Sequence, residues 1–163
     1  MLELNHLFYM NEAVSEAIEG IKSLHGGPFG SVIIQQDPVS KEYNIVGRGH
    51  NRVILLKDPT CHGEMEAIRD ACKNLGTFDL RGCILYTTAE PCPMCLSACM
   101  WANIQKIYYG CTREETDCIG FRDDVFYKKL NLQLSDVEYV QHIESEACHD
   151  LFNLYLQLDH DLY

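Results

Sequence analysis

Two short segments of the 163-residue chain gather residue types that bind metals and move protons: His62-Gly63-Glu64 and Pro91-Cys92-Pro93-Met94-Cys95. Each opens a predicted helix after an extended or turn segment. A helix N-terminus carries unpaired N–H groups and a partial positive charge, which favour thiolates and metal-bound anions. Cys92 and Cys95 are three positions apart, so helical rotation brings both sulfurs to one face. With His62 from the neighbouring helix they make three ligands for one Zn²⁺ and leave a tetrahedral position open, as catalytic zinc sites do. Zinc can lower the pKa of a bound water to roughly 7. On an ideal helix Glu64 points about 200° away from His62, which favours it as general base over paired ligand. Two other readings stay open on these residues alone. A C-x-x-C pair also occurs as a redox motif, which would leave His62 without a role. A structural zinc would need a fourth ligand, for which Cys61, Cys99 or His50 is available.

The elements that must position these residues follow from periodicity. Apolar spacing predicts a helix over residues 11–24 (Ala13, Val14, Ala17, Ile18, Ile21, Leu24), ended by Gly26-Gly27-Pro28. Two β-branched runs, 31–35 and 43–46, flank Asp37-Pro38-Val39-Ser40-Lys41 and predict a hairpin. A second helix is expected over 62–75, stopped by Gly76. A buried strand over 83–88, a helix over 92–102 and a strand over 106–110 come next. Short helical pieces over 114–130, a strand near 137–142 and a helix from about Ser145 complete the order. A hairpin followed by alternating helix and strand predicts a mixed sheet with helices on both faces. No linker or repeat interrupts it, so residues 1–163 read as one domain.

Composition narrows the function classes. At 47% hydrophobic and 23% charged, the chain is neither disordered nor low-complexity. No apolar run approaches the ~20 residues of a membrane span, and the N-terminus lacks a signal-peptide pattern. A net charge of −11 sets a repulsive average field against phosphate-rich partners, so no nucleic acid is expected. With neither span nor signal pattern, a cytoplasmic location is expected. Nine cysteines, an odd number, argue against a disulfide framework, and seven of them, all but Cys92 and Cys95, are expected as small buried hydrophobes.

The chain resembles the cytidine-deaminase-like superfamily over nearly its whole length. The resemblance rests on Gly27-Pro28-Phe29-Gly30, Gly49-His50-Asn51, Asp58-Pro59-Thr60, His62-Gly63-Glu64 with Ala67-Ile68, and Glu90-Pro91-Cys92-Pro93-Met94-Cys95. H-x-E…P-C-x-x-C is itself the established signature of zinc nucleobase deaminases. The resemblance implies an α/β fold, a three-layer α/β/α sandwich with a mixed five-stranded sheet, and hydrolytic release of an amino group as ammonia.

Within the superfamily the chain looks most like bacterial guanine deaminases, on Gly26-Gly27-Pro28-Phe29-Gly30, Met100-Trp101-Ala102, the stretch from Thr112-Arg113-Glu114-Glu115 through Gly120-Phe121-Arg122-Asp123-Asp124, and Tyr163. The expected reaction is guanine and water to xanthine and ammonia. Phe29 is expected to cover one ring face, unless it is a core aromatic beside the first strand. Asn51 offers a donor and an acceptor to the O6/N7 edge of a purine. The resemblance places Glu115 at the amino and ring N–H side, in a stretch where Glu114, Asp117 and Asp123 are alternatives. Trp101 is a further binding candidate beside the pocket. Gly63, where Ala is more usual, is expected to act through its backbone N–H. The tail from about 145 to 163 is expected to close over a pocket through Tyr163 and to be exchanged between subunits of a homodimer. The alternatives are cytosine deaminase, suggested by Gly63, guanosine deaminase, tRNA adenosine deaminase and a non-catalytic zinc-stabilised binding module.

Overall fold

The computed structural model describes residues 4–133 and 138–159. The elements are α1 (His6–Lys22), β1 (Gly30–Gln36), β2 (Tyr43–His50), α2 (Val53–Leu56), α3 (Gly63–Leu75), β3 (Cys83–Ala89), α4 (Pro93–Trp101), β4 (Lys106–Cys111), α5 (Arg113–Cys118), α6 (Asp123–Leu130), β5 (Val140–His142) and α7 (Glu146–Gln157). The strands form one five-stranded sheet in the order β2-β1-β3-β4-β5. β1 is antiparallel to β2 and to β3, whereas β3–β4 and β4–β5 are parallel. β2, β3 and β4 therefore run in one direction, and their C-terminal ends share an edge. In open α/β sheets that edge is where ligands bind.

Alternation along the strands builds the layers. Val32, Ile34, Tyr86 and Tyr108 face α1 and α7, in a cluster with Met10, Ala13, Ala17, Leu151, Phe152 and Tyr155. Ile33, Leu85 and Ile107 point the other way, against Ala67 and Ala71 of α3 and Leu96 and Cys99 of α4. Each fully buried aliphatic side chain contributes about 1.5–3 kcal/mol. The result is the expected three-layer α/β/α sandwich with a mixed sheet.

Two element boundaries differ from the sequence expectation, each for a local reason, and one short helix is additional. α1 starts at His6, before the expected 11, because the Asn5 side chain accepts the Phe8 N–H at 3.1 Å and Tyr9 and Met10 extend the buried stripe. β2 continues to His50 through Gly47 and Gly49, which carry no apolar side chain for a periodicity to register. α2 was not expected; it is four residues long and buries none of them. The expected strand near 137–142 is β5, and Val137 lies outside the described residues.

The two β2 glycines set the height of α3 above the sheet. A Cβ on Gly47 would sit 2.5 Å from the Ala67 carbonyl oxygen, and one on Gly49 would press on the Ala67 amide nitrogen. Both obstacles are backbone, so the helix as a whole would have to move. Gly49→Ala should destabilise the fold by about 1–3 kcal/mol, the usual range for overpacking. A denaturant titration checks this; a midpoint equal to wild type would show that α3 does not rest on this contact.

Candidate active site

The shared strand edge brings both motifs together. β2 leads through Asn51 and α2 to His62, and β3 leads directly to Cys92. His62 and Cys92 are the N-cap residues of α3 and α4, with extended backbone at ψ 159° and 166°. Pro93 takes the first position of α4, where a missing N–H costs nothing. Neither N-cap residue caps its helix through its side chain. Instead the Cys92 sulfur and His62 Nδ1 approach to 3.6 Å. The ligand atoms of His62, Cys92 and Cys95 all lie within 4.8 Å of one another, and among the described residues no fourth His, Cys, Asp or Glu joins that group.

The electrostatics mark the same three residues. The Cys95 thiol, through a hydrogen bond, and then His62 lower Cys92 to about 4 against the opposing effect of burial. Burial lowers His62, but the Cys92 sulfur more than reverses this and raises it to about 9. A thiolate held against an imidazole, with a second buried sulfur beside them, is the donor chemistry of Zn²⁺. The residues fit the ion. Glu64, in the first turn of α3, is buried with its carboxyl against the Cys95 sulfur. Desolvation, followed by the negative field of Cys92, raises its pKa. A dication on the three ligands would draw it back down.

His62 and Cys92 lie at the wall of a cavity of about 610 Å³, lined also by Val53, Pro59, Met94, Phe121, Asp123 and Phe126. Its character is mainly apolar, with few polar groups, as small-molecule sites usually are. Asp123 is the carboxylate that the structure brings here. Burial, aided by the nearby Cys92 and Glu64 charges, pushes it up to about 7.

The packing gives each residue expected to contact the substrate a definite place. Glu115 does not line the cavity. Its Oε2 accepts the Thr112 N–H at 2.7 Å, the Thr112 hydroxyl accepts the Glu115 N–H at 3.3 Å, and its Oε1 pairs with His149. Trp101 ends α4 with 85% of its surface exposed and is not a cavity residue. Phe29 packs edge-on against Phe121 and Phe152 on the core side, at centroid distances of 4.7 and 6.1 Å. Asn51 is buried; its Oδ1 accepts the Val53 N–H at 3.1 Å and its own N–H donates to the Phe29 carbonyl at 2.8 Å. Gly63 abuts that same carbonyl, since a Cβ there would lie 2.9 Å from the Phe29 oxygen. A side chain at this position would press on the Phe29 carbonyl, so glycine has a steric reason here. Tyr163 lies outside the described residues.

A support under Cys92 went unread in the sequence. Buried Glu90 pairs with Arg113, Nε to Oε1 at 2.8 Å, and accepts the Arg113 backbone N–H at 3.2 Å. The Arg113 guanidinium lies 4.2 Å over the Tyr127 ring, and the Tyr127 hydroxyl donates to the Pro91 carbonyl at 2.6 Å. This chain of contacts fixes the backbone just before the first cysteine. Removing the metal should lower the thermal midpoint as well as abolish turnover, because binding to the folded state alone stabilises it. Chelation followed by zinc addition tests this; a melting curve indifferent to zinc would contradict the assignment of these ligands.

A family model described as the cytidine and deoxycytidylate deaminase zinc-binding region matches residues 4–111. The guanine deaminase of Bacillus subtilis is 42% identical over 128 residues, covering 78% of each chain. An X-ray structure of guanine deaminase from Bacillus subtilis superposes with a TM-score of 0.72 at 34% identity, covering 98% of this chain and 99% of that one. A tRNA-specific adenosine deaminase from Haemophilus influenzae is 32% identical over 131 residues, 80% of this chain and 71% of its own. At 22% identity, a guanine deaminase from Nitrosomonas europaea shares the fold, with a TM-score of 0.75 over 97% of this chain and 87% of its own. With its motif residues converging at one sheet edge and these matches spanning most of its length, the chain belongs to the zinc-binding cytidine and deoxycytidylate deaminase family.

Proposed function

We propose that the protein hydrolyses guanine to xanthine and ammonia. The observation that carries this reading is the cluster of His62, Cys92 and Cys95, with buried Glu64 against the Cys95 sulfur, beside an apolar cavity that His62 and Cys92 line, in a chain 42% identical to a guanine deaminase. His62, Cys92 and Cys95 would hold a single Zn²⁺, which when bound supplies the Lewis acidity that makes water nucleophilic near neutral pH. Glu64 takes the proton of the attacking water and passes protons to the adjacent ring nitrogen and to the departing amine. Its burial keeps that exchange away from bulk solvent. Asp123 accepts from the amino and ring N–H side of the base, the role expected of Glu115. The Asn51 Oδ1 accepts the Val53 N–H, and its amide N–H₂ is the donor to meet a purine O6 or N7. The Gly63 backbone N–H completes the polar contacts of the pocket.

One observation favours a second reading. The likeness to a tRNA-specific adenosine deaminase spans four fifths of the chain. Against it stands the net charge of −11, since a tRNA loop needs a positive field around the pocket. The protein is also read as a cytoplasmic homodimer that takes a nucleobase and no nucleic acid. All nine cysteines are free, which suits a reducing compartment, and among the described residues no helix is long and apolar enough to cross a membrane. α7 packs on α1 and β4 of its own chain. Exchange of residues 145–163 between subunits would reproduce those same contacts.

Three measurements follow. Glu64→Gln should keep its zinc and its fold while losing about 10²–10⁴-fold in kcat on guanine, the usual weight of a general base; retained turnover would remove Glu64 from that role. Asp123→Asn should lower kcat/KM by about 10- to 100-fold, the loss of a charged hydrogen bond, whereas Glu115→Gln should stay near wild type. The reverse order would restore Glu115 to the pocket. Light scattering should give twice the 18.6 kDa of one chain, and a mass near a single chain would exclude the exchanged dimer.

A further inference from the structure

Glu115, which the cavity leaves unused, belongs to a second cluster. Cys111 ends β4, Glu115 lies in the first turn of α5 and His149 in the first turn of α7. Their ligand atoms lie within 4.8 Å of one another, and among the described residues this is the other group of that kind. Glu115 Oε1 is 2.8 Å from His149 Nε2, and its Oε2 is held by the Thr112 N–H, so the carboxylate has a fixed orientation. His149 Nδ1 has the Glu144 carboxylate 3.9 Å away, on the side of the ring where metal-bound histidines commonly find one. The Cys148 thiol, adjacent in sequence to His149, hydrogen-bonds the Cys111 thiol and offers a further sulfur at the site.

A surface ion pair would account for Glu115 and His149. Cys111 and Cys148 pack in the core on the α7 side, and the Cys111 sulfur also lies within ligand reach of Glu115 and His149. A thiol that a bound metal deprotonates, an imidazole and a carboxylate together form a borderline-soft donor set that suits Zn²⁺. Ligand bonds of about 2.0–2.3 Å put the donors of one ion roughly 3–4 Å apart, so the observed separations close with small side-chain movements.

We propose that Cys111, Glu115 and His149 form a second Zn²⁺ site that shares no residue with the catalytic cluster. The site ties together the end of β4, the start of α5 and the start of α7. α5 leads into α6, which carries Asp123 and Phe126 into the cavity wall, while Cys111, Glu115 and His149 lie outside that wall. Glu115→Gln and His149→Ala should each remove it without touching the catalytic ligands.

Metal content at saturating free Zn²⁺, under reducing conditions and with affinity tags removed, tests the assignment. Wild type should carry two ions per chain. His149→Ala, a change at a half-exposed position, should carry one with guanine turnover unchanged, and Cys92→Ser should keep one while losing turnover. One ion per chain in wild type, or two in His149→Ala, would overturn the proposal.

Discussion

Two helices end with their N-termini aimed at the same small volume, and the rest of the structure is arranged around that constraint. A helix N-terminus exposes unpaired N–H groups and partial positive charge, and two of them side by side call for negative charge between them. An N-cap Ser, Thr, Asp or Asn would satisfy each end separately, at a gain of about 1 kcal/mol. His62 and Cys92 occupy those cap positions and give up that local stabilisation, turning their side chains toward each other. What replaces the caps is a thiolate and the metal that the ligand set fits. Stability is thereby exchanged for a site whose charges cannot be satisfied within the chain alone.

Holding two such ends in register requires rigid surroundings. The glycines of β2 let α3 lie directly on the sheet, so the height of His62 and Glu64 is set by backbone contact rather than by adjustable side chains. On the other side, the Glu90–Arg113–Tyr127 contacts hold Pro91 and therefore the start of α4. A buried ion pair is weak evidence for stability, because desolvation offsets much of its attraction. Its contribution here is to position. It links the residue before the cysteine turn to the segment that follows β4, and that segment also delivers Asp123.

The sequence was most informative where chemistry and local geometry coincide. The spacing of His62, Glu64, Cys92 and Cys95 needs only helix periodicity to predict a cluster, and the alternation of strands and helices needs only hydrophobic pattern to predict the layers. It was least informative where the answer depends on which of several neighbouring acids turns inward. Glu115 and Asp123 both sit in a short-helix region rich in carboxylates, and only the packing of α5 and α6 separates them. One signal was available: Thr112-Arg113-Glu114-Glu115 is a capping-box pattern, which commits the last carboxylate to its own helix end. Phe29 and Trp101 illustrate a different loss. Phe29 is absorbed by Phe121 and Phe152, and Trp101 is left at an exposed helix end, outcomes that hydrophobicity alone does not distinguish.

The central claim is that this cavity selects guanine and removes its amino group. Its apolar walls suit a planar base, and its carboxylate suits a base with N–H donors on the reacting side. The most direct test is ammonia release by the zinc-replete protein offered guanine, guanosine, cytosine, adenine and a tRNA anticodon stem-loop side by side. Rapid release from guanine alone is the predicted result. Release from cytosine, guanosine or the stem-loop with guanine untouched would keep the zinc chemistry and contradict the assignment of the pocket.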